Sequence, residues 1–266
     1  MISRRPLEIA RALGASSLAM YFSYRAEMAM WVLAGTLPLF LMLVWMQLAE
    51  NGAVAGFTSA GFAAYFLTAF FVRHMTPFLA VRELDRQIRL GGLAADLLQP
   101  LDPYWRALVD QVVDAIYRLP VVLPIVFIGL AITGGWTAFA PDSTGRVVLA
   151  VFGAMALHFH CTYCLGLVAF WTDKSVALEE LYGTGYFVFG GGFMPVALMP
   201  AAVTAVLAWT PFPYIIDLPV EAVLGRLSGP ALDSALLHQW GWILALVGLS
   251  RLLWHRGLRR YDAAGL

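Results

Sequence analysis

The chain has 266 residues, of which 61% are hydrophobic and 13% are charged, and its formal net charge at pH 7 is zero. Soluble domains contain about 45–50% apolar and about 25% charged residues, and one domain of this size cannot bury so much apolar surface. The composition therefore excludes a soluble enzyme. The balanced charge, without a polybasic tract, also excludes a nucleic-acid-binding protein.

Six charge-poor runs are candidates for membrane-crossing helices, which need roughly 20 apolar residues each. They lie at about 29–48, 56–72, 119–140, 147–171, 186–209 and 236–249, and the last continues to about 254. We therefore predict an all-α polytopic membrane protein with six transmembrane helices.

The basic residues predict the orientation of these helices, because Lys and Arg accumulate in cytoplasmic segments. With the N-terminus inside, all but two of the 17 basic residues fall on the cytoplasmic side, the exceptions being Arg146 and Arg226. We therefore expect six spans with both termini in the cytoplasm.

The first 28 residues predict an interfacial elbow helix before the first span. Ser3 can cap a helix and Pro6 is tolerated in its first turn, while Leu7, Ala10 and Leu13 recur at helical spacing. Charged residues interrupt the segment, which is unlike a cleavable signal peptide. The alternative is a frayed tail.

The segment between the second and third spans, residues 81–118, predicts a cytoplasmic coupling loop. Leu84, Ile88, Leu93, Leu97 and Leu98 form an apolar stripe that Gly91 and Gly92 interrupt. This pattern predicts two short amphipathic helices joined by a hinge, which Pro100 and Pro103 then end. A long amphipathic loop of mixed charge suits docking to a soluble partner.

Two stretches, GTLPLFLMLVWM in the first span and IRLGGLAADLLQPLDPYW after the second, resemble the membrane subunits of type-2 ABC exporters, the ABC-2 permeases. The branch containing viologen and drug exporters is the most similar. The stretch PFPYIIDLPVEAVLG, residues 211–225, is similar to the outer re-entrant segment of that family. The resemblance covers nearly the whole chain.

The resemblance implies that the coupling loop docks a separate ATPase. The implied docking residues are Arg82, Leu84, Arg86, Ile88, Gly92, Leu93, Leu97, Leu98 and Pro100. A phosphate-binding loop needs Gly-Lys-Ser/Thr, whereas the single lysine, Lys174, follows Asp173. We therefore expect this chain to be a transport subunit without catalytic residues, with ATP and Mg bound by the partner ATPase.

The resemblance also implies one ABC-2 transmembrane domain over residues 1–266, located in the bacterial cytoplasmic membrane. Its expected parts are the elbow helix (1–28), spans one and two (29–80), the coupling loop (81–118), spans three to five (119–209), the outer re-entrant segment (210–235), and span six with a cytoplasmic tail (236–266). Since six spans form half a transporter in that family, a second identical or related permease is expected.

The segment GYFVFGGGFMPVALMP, residues 185–200, predicts a helix that bends at its glycines and prolines. Flexible and aromatic side chains can repack around varied ligands. We predict that a translocation pathway for a hydrophobic or amphipathic substrate includes Tyr186, Phe187, Phe189, Phe193 and Met194. Tight helix packing is the alternative role for these residues.

Asp110, Asp114 and Arg118 repeat every four residues at the start of the third span and predict one charged helix face. They are a candidate inner gate, and a solvated helix end is the alternative.

The motif HFHCTYC in the fourth span places His158, His160, Cys161 and Cys164 close together in sequence. At most three of them can converge on one ion from a single helix, whereas a structural zinc site needs four ligands. We therefore expect packing between helices and no metal ligands. A membrane-embedded metal or redox protein using His158, His160 and Cys164 is the alternative function, and an ion-coupled carrier is another.

Overall fold

The computed structural model describes residues 35–99 and 102–261, and every regular element within these ranges is helical. The predicted elbow helix at 1–28 lies outside the described residues, as does Pro100. The described residues contain ten α-helices, which are α1 (Leu37–Leu48), α2 (Ser59–Met75), α3 (Ala80–Arg89), α4 (Leu93–Leu97), α5 (Pro103–Thr133), α6 (Thr144–Leu167), α7 (Ser175–Phe189), α8 (Ala201–Leu207), α9 (Asp217–Val223) and α10 (Gly229–Leu258).

Four helical stretches of the described chain are long and apolar enough to cross a membrane. They are Ser59–Arg89, which joins α2 and α3, then Pro103–Thr133, Thr144–Phe170 and Gly229–Leu258. The described part of the first predicted span, α1, is apolar but has only 12 residues. Four of the six predicted spans therefore overlap helices that are long and apolar enough to cross a membrane.

The predicted fifth span, 186–209, is divided in the structure. The helix begins earlier, at Ser175, and ends at Phe189, and the next α-helix, α8, has only seven residues. Gly191 has a φ of 99°, a backbone conformation that residues other than glycine rarely adopt. Pro195 and Pro200 lack the backbone N–H that a continuous helix needs. The sequence therefore predicts the position of the break but not its sharpness.

Helix α2 lies at the centre of the largest apolar core. Its residues Phe62, Phe66 and Phe70 are fully buried, and the core also includes residues of α1, α5, α6 and α9. Gly129 on α5 lets that helix approach closely, because a Cβ atom there would lie 2.7 Å from Cδ2 of Leu67. Small residues at such contacts are typical of helix packing in membranes.

Helix α10 packs along α6 through a buried amide. The Gln239 Nε2 donates to the carbonyl oxygens of Ala150 at 3.0 Å and Tyr214 at 2.7 Å. Gly153 on α6 makes room for this side chain, since a Cβ there would lie 2.2 Å from the Gln239 Oε1. This contact fastens the helix pair to the turn before α9.

The coupling segment 81–118 is mostly helical and contains α3, α4 and the first half of α5. Pro103 begins α5, and Asp102 caps it by accepting a 2.8 Å hydrogen bond from the Tyr104 backbone N–H. Pro is favoured at this position, where its missing N–H would be unpaired anyway. The helix that contains the third predicted span therefore begins at Pro103, earlier than residue 119, and the start of the span itself stays a prediction.

Helix α3 packs on α6 at Gly166, which gives a direct test of this contact. A Cβ there would lie 3.0 Å from Leu84 Cβ and 3.1 Å from the Ala80 carbonyl oxygen. We expect Gly166→Ala to destabilise the protein by about 1–3 kcal/mol, because overpacking displaces α3. Thermal unfolding of the detergent-purified chain measures the change.

Gly248→Ala on α10 is the matched control, because no atom lies within 4 Å of a Cβ built there. Alanine favours a helix over glycine by about 1 kcal/mol, so we expect this variant to unfold at the same or a higher temperature. Equal effects of the two substitutions would contradict the close packing of α3 on α6.

Candidate functional site

One end of the molecule gathers most of the arginines of the described chain. Arg82 Nε lies 3.2 Å from Glu179 Oε2 on α7, and Arg89 donates to the Asp173 carbonyl oxygen at 3.0 Å. Arg251, near the end of α10, lies 3.5 Å from Asp102 Oδ2. These contacts join α3 to α7 and α10 to the start of α5, and we call the charged layer that they form the arginine end.

The opposite end carries the two basic residues that the sequence places outside. Arg146 lies 2.6 Å from Asp142 and 2.9 Å from Asp233, and Arg226 lies 3.3 Å from Glu221. The Gly229 backbone N–H and Arg146 hold the pKa of Asp142 below its ordinary value. The fold thus separates the two charged layers that the sequence assigns to opposite sides of a membrane.

The residues predicted to dock an ATPase divide into a buried and an exposed group. Leu84, Ile88 and Leu93 are buried in the core of the chain itself, against residues of α6 that include Phe159 and Leu167. In this structure they support α3 and α4 from within and do not form a surface. The apolar stripe identifies a buried face, but it packs on the chain's own α6.

The exposed group lies at the ends of α3 and α4. Leu98 is 89% exposed, Leu90 77% and Leu97 42%, and we call these three residues the leucine tip. Leu90 was not predicted from the sequence. The sequence does indicate its exposure, because Leu90 lies immediately before Gly91-Gly92 and outside the apolar stripe. Exposed apolar residues that form one patch can indicate an interaction surface, so the leucine tip is a candidate for one.

Three other predicted docking residues, Arg82, Arg86 and Gly92, lie on α3 or just before α4. Arg86 is exposed and donates to Glu83 at 2.6 Å within α3, while Arg82 reaches Glu179 on α7. Gly92 precedes α4 and begins its first turn. The exposed face of α3 is therefore charged, and its apolar part is confined to the leucine tip.

The candidate inner gate is a largely buried ion pair. Arg118 Nη2 lies 2.7 Å from Asp114 Oδ2, and the two side chains are 16% and 6% exposed. The two side chains are therefore paired and largely shielded from solvent, and the role of an inner gate stays a prediction. Asp110, one turn earlier, borders a groove between α3 and α5 together with Glu83 and Arg106.

The predicted pathway residues occupy different surroundings. Tyr186 is fully buried, and its hydroxyl lies 2.7 Å from Thr76 Oγ1, at the end of α2. Phe187 lies under the Arg73 guanidinium, 5.2 Å from it. Phe189 and Phe193 are exposed and Met194 is partly buried. Tyr186 therefore links α7 to α2, and the exposed aromatics beside the break are the ones open to a ligand.

The HFHCTYC residues contact different helices. His158 Nδ1 lies 3.1 Å from the Tyr182 hydroxyl on α7, whereas His160 Nε2 lies 3.0 Å from the Tyr104 hydroxyl on α5. Cys164 Sγ donates to the Leu246 carbonyl oxygen at 3.7 Å. Within residues 35–99 and 102–261, no group of three or more His, Cys, Asp or Glu side chains could hold a metal ion.

Comparison with known protein families matches residues 31–265 to the ABC-2 family transporter protein. The chain belongs to the ABC-2 transporter family. No curated protein and no solved structure matched it. ABC-2 permeases are membrane transport components that are not themselves catalytic and normally work with an ATPase subunit. The closer resemblance to viologen and drug exporters stays a prediction.

Family membership and the apolar helices together identify a multi-pass membrane protein. Three features of this ABC-2 protein bear on transport: the arginine end, the leucine tip and the divided α7 segment. The first two lie together, and Arg82 connects them to α7 through Glu179.

Proposed function

We propose that this chain is the permease subunit of an ATP-driven exporter and that a separate ATPase docks on the leucine tip. The single observation that carries this proposal is the exposure of Leu90 and Leu98 at the arginine end of an ABC-2 family protein. ATP and Mg bind to the partner, and this chain provides the docking surface and the conduit.

The proposed mechanism uses α3 as a lever. Closure of the ATPase on ATP pushes the leucine tip, and the close contact of Leu84 with Gly166 passes this displacement to α6. The ion pair between Arg82 and Glu179 passes it to α7, which ends at the Gly190–Gly192 turn. Packed helices transmit such displacements because their interiors have low compressibility.

The proposed topology has six crossings with both termini in the cytoplasm of a bacterial inner membrane. The crossings are α1 with the residues before it, α2, α5, α6, the divided α7 segment and α10. The segment from 210 to 235, which includes α9, lies at the outer end. The small number of basic residues at this end, Arg146 and Arg226, supports an outer location for that layer.

The proposed transporter contains two permeases, either two copies of this chain or this chain with a related one. The pathway lies between them and carries a hydrophobic or amphipathic substrate. Exposed Phe189 and Phe193 beside the divided helix support this proposal, because aromatic side chains present large adaptable apolar contacts. No bond of the substrate changes during transport.

Co-purification tests the proposed function. We expect the affinity-tagged full chain, extracted gently from its native membrane, to elute with an ATP-binding-cassette subunit and with ATP hydrolysis activity. A purified chain that moves cargo in vesicles without any nucleotide-hydrolysing companion would contradict the proposal.

A further inference from the structure

A cluster of acidic and phenolic groups at the outer end joins α9 to α2 and to the turn that ends α7. Asp217 Oδ1 lies 2.6 Å from the Tyr65 hydroxyl and accepts a 3.1 Å hydrogen bond from the Val196 backbone N–H. The Asp217 backbone N–H donates to the Gly190 carbonyl oxygen at 2.9 Å. Three separate segments therefore meet at one carboxyl group.

The hydrogen bonds around the Tyr65 hydroxyl can accommodate one additional proton on Asp217. The Tyr65 hydroxyl has one hydrogen, but it lies 2.6 Å from Asp217 Oδ1 and 3.1 Å from the Gly191 carbonyl oxygen. If Asp217 is ionised, both neighbours are acceptors and the hydroxyl hydrogen is shared between them. If Asp217 is protonated, it donates to the Tyr65 oxygen, and Tyr65 donates fully to Gly191.

The charges around Asp217 give a second, independent reason for a proton. Glu221 lies one helical turn further along α9, and the nearby cation is Arg226, 3.3 Å from Glu221 Oε2. Arg226 is also committed to the Gly56 carbonyl oxygen and to the face of Phe57. Two ionised carboxylates and one cation would leave a net negative charge in a poorly solvated site, which is costly.

The second carboxyl oxygen of Glu221, Oε1, also favours a bound proton. Glu221 Oε1 is buried and accepts no hydrogen bond from the described residues. Burial raises the pKa of Asp217 to about 6, although the hydrogen bonds from Tyr65 and Val196 and the charge of Arg226 oppose this rise. Burial and the Asp217 charge raise the pKa of Glu221 to about 7, against the opposing effect of Arg226. The pair thus retains a proton at pH values where isolated carboxyls have lost theirs.

Other titratable groups on the elements packed against α9 are engaged elsewhere. On α6, Arg146 pairs with Asp142 and Asp233. On α10, His238 stacks on the ring of Tyr214, whose hydroxyl donates to the Ala208 carbonyl oxygen. The charge of the cluster is therefore determined by Asp217, Glu221 and Arg226.

We propose that Tyr65, Asp217 and Glu221 form a proton-binding latch that fastens the Gly190–Gly192 turn to α2 when protonated and loosens it when the proton leaves. Gly191 is suited to this contact, because a Cβ at its position would lie 2.4 Å from the Tyr65 hydroxyl. The latch does not depend on the identity of the substrate or the ATPase. That it responds to the pH outside the cell rests on the proposed topology.

The sign of the pH effect follows from linkage. The closed latch binds a proton more tightly than the open one, so closure is favoured at low pH and weakens as the pH rises through the range from about 6 to about 7. Each unit of pKa difference between the two states changes the opening equilibrium tenfold. We therefore expect opening to increase on the order of tenfold or more between pH 5.5 and 8.5.

Hydrogen–deuterium exchange of the detergent-purified full chain tests the latch. The readout is a peptide spanning residues 186–200, whose exchange rate is corrected for the intrinsic effect of pH. In the wild type we expect the corrected rate to rise on the order of tenfold from pH 5.5 to 8.5. Equal corrected rates at the two pH values would overturn the proposal.

Two variants and a matched control make the test specific. Asp217→Asn mimics the protonated acid, so we expect slow exchange at both pH values, and a persisting pH response in this variant would contradict the latch. Glu221→Gln removes the negative charge beside Asp217, which lowers the pKa of Asp217. We therefore expect the rise in exchange rate to occur at lower pH in this variant. Asp233→Asn changes an exposed carboxyl at the same end and should keep the wild-type profile.

Discussion

Replacing Leu90 and Leu98 together with aspartate is expected to abolish co-purification of the ATPase while the chain keeps its fold. Both side chains are highly exposed, so the fold does not depend on them. Burying a leucine in an interface contributes about 1.5–3 kcal/mol, so losing two weakens association by about 10²–10⁴-fold, since 1.4 kcal/mol is tenfold. Buried aspartates without partners add a desolvation cost.

Quantitative pull-down with the ATPase and thermal unfolding of the same preparations measure this effect. Leu90→Met with Leu98→Met is the matched control, because methionine keeps apolar volume at both positions, and we expect association near the wild-type level. An aspartate variant that binds the ATPase as tightly as the wild type would show that the leucine tip is not the docking surface.

Removal of one partner of the Asp114–Arg118 pair is expected to give the largest loss of stability. Since the pair is largely buried, Asp114→Ala leaves a buried guanidinium without its carboxylate, and breaking such pairs costs about 3–5 kcal/mol. Replacing both residues, in Asp114→Ala with Arg118→Met, removes the uncompensated charge. We therefore expect the double variant to be more stable than Asp114→Ala alone.

Thermal or denaturant unfolding of the wild type, the two single variants and the double variant forms a complete cycle. Arg146→Met at the opposite end is the control for loss of an exposed ion pair, which contributes about 0–1 kcal/mol. Additive losses in the double variant would contradict a coupled buried pair and leave Asp114 and Arg118 as independent residues.

Hydropathy predicts which segments of this chain are long apolar helices, because a bilayer requires a minimum run of apolar residues. It fails at 186–209, where composition is apolar throughout but the backbone at Gly191 leaves the helical region. It also does not show that α5 begins as early as Pro103, because the residues from Pro103 to Arg118 are polar enough to suggest a loop. Helix boundaries there depend on capping and packing, which hydropathy does not measure.

The candidate site is predictable in position but not in detail. The stripe containing Leu84 and Leu93 shows that one face of the coupling segment is buried. The spacing of apolar residues cannot show whether that face packs on the chain's own helix α6 or on a partner. The exposure of Leu90 follows from the turn at Gly91, which has a φ of 77°. Likewise, Asp114 is buried by tertiary packing that its four-residue spacing does not reveal.

The most direct test of the account is the accessibility of the two ends of the molecule from outside the cell. The described cysteines, Cys161 and Cys164, are both buried, so a membrane-impermeant maleimide can report on single introduced thiols. We expect Asp233→Cys to be labelled in intact cells and Leu98→Cys to be labelled only after the cells are opened. Labelling of residue 98 from outside would contradict a cytoplasmic docking surface.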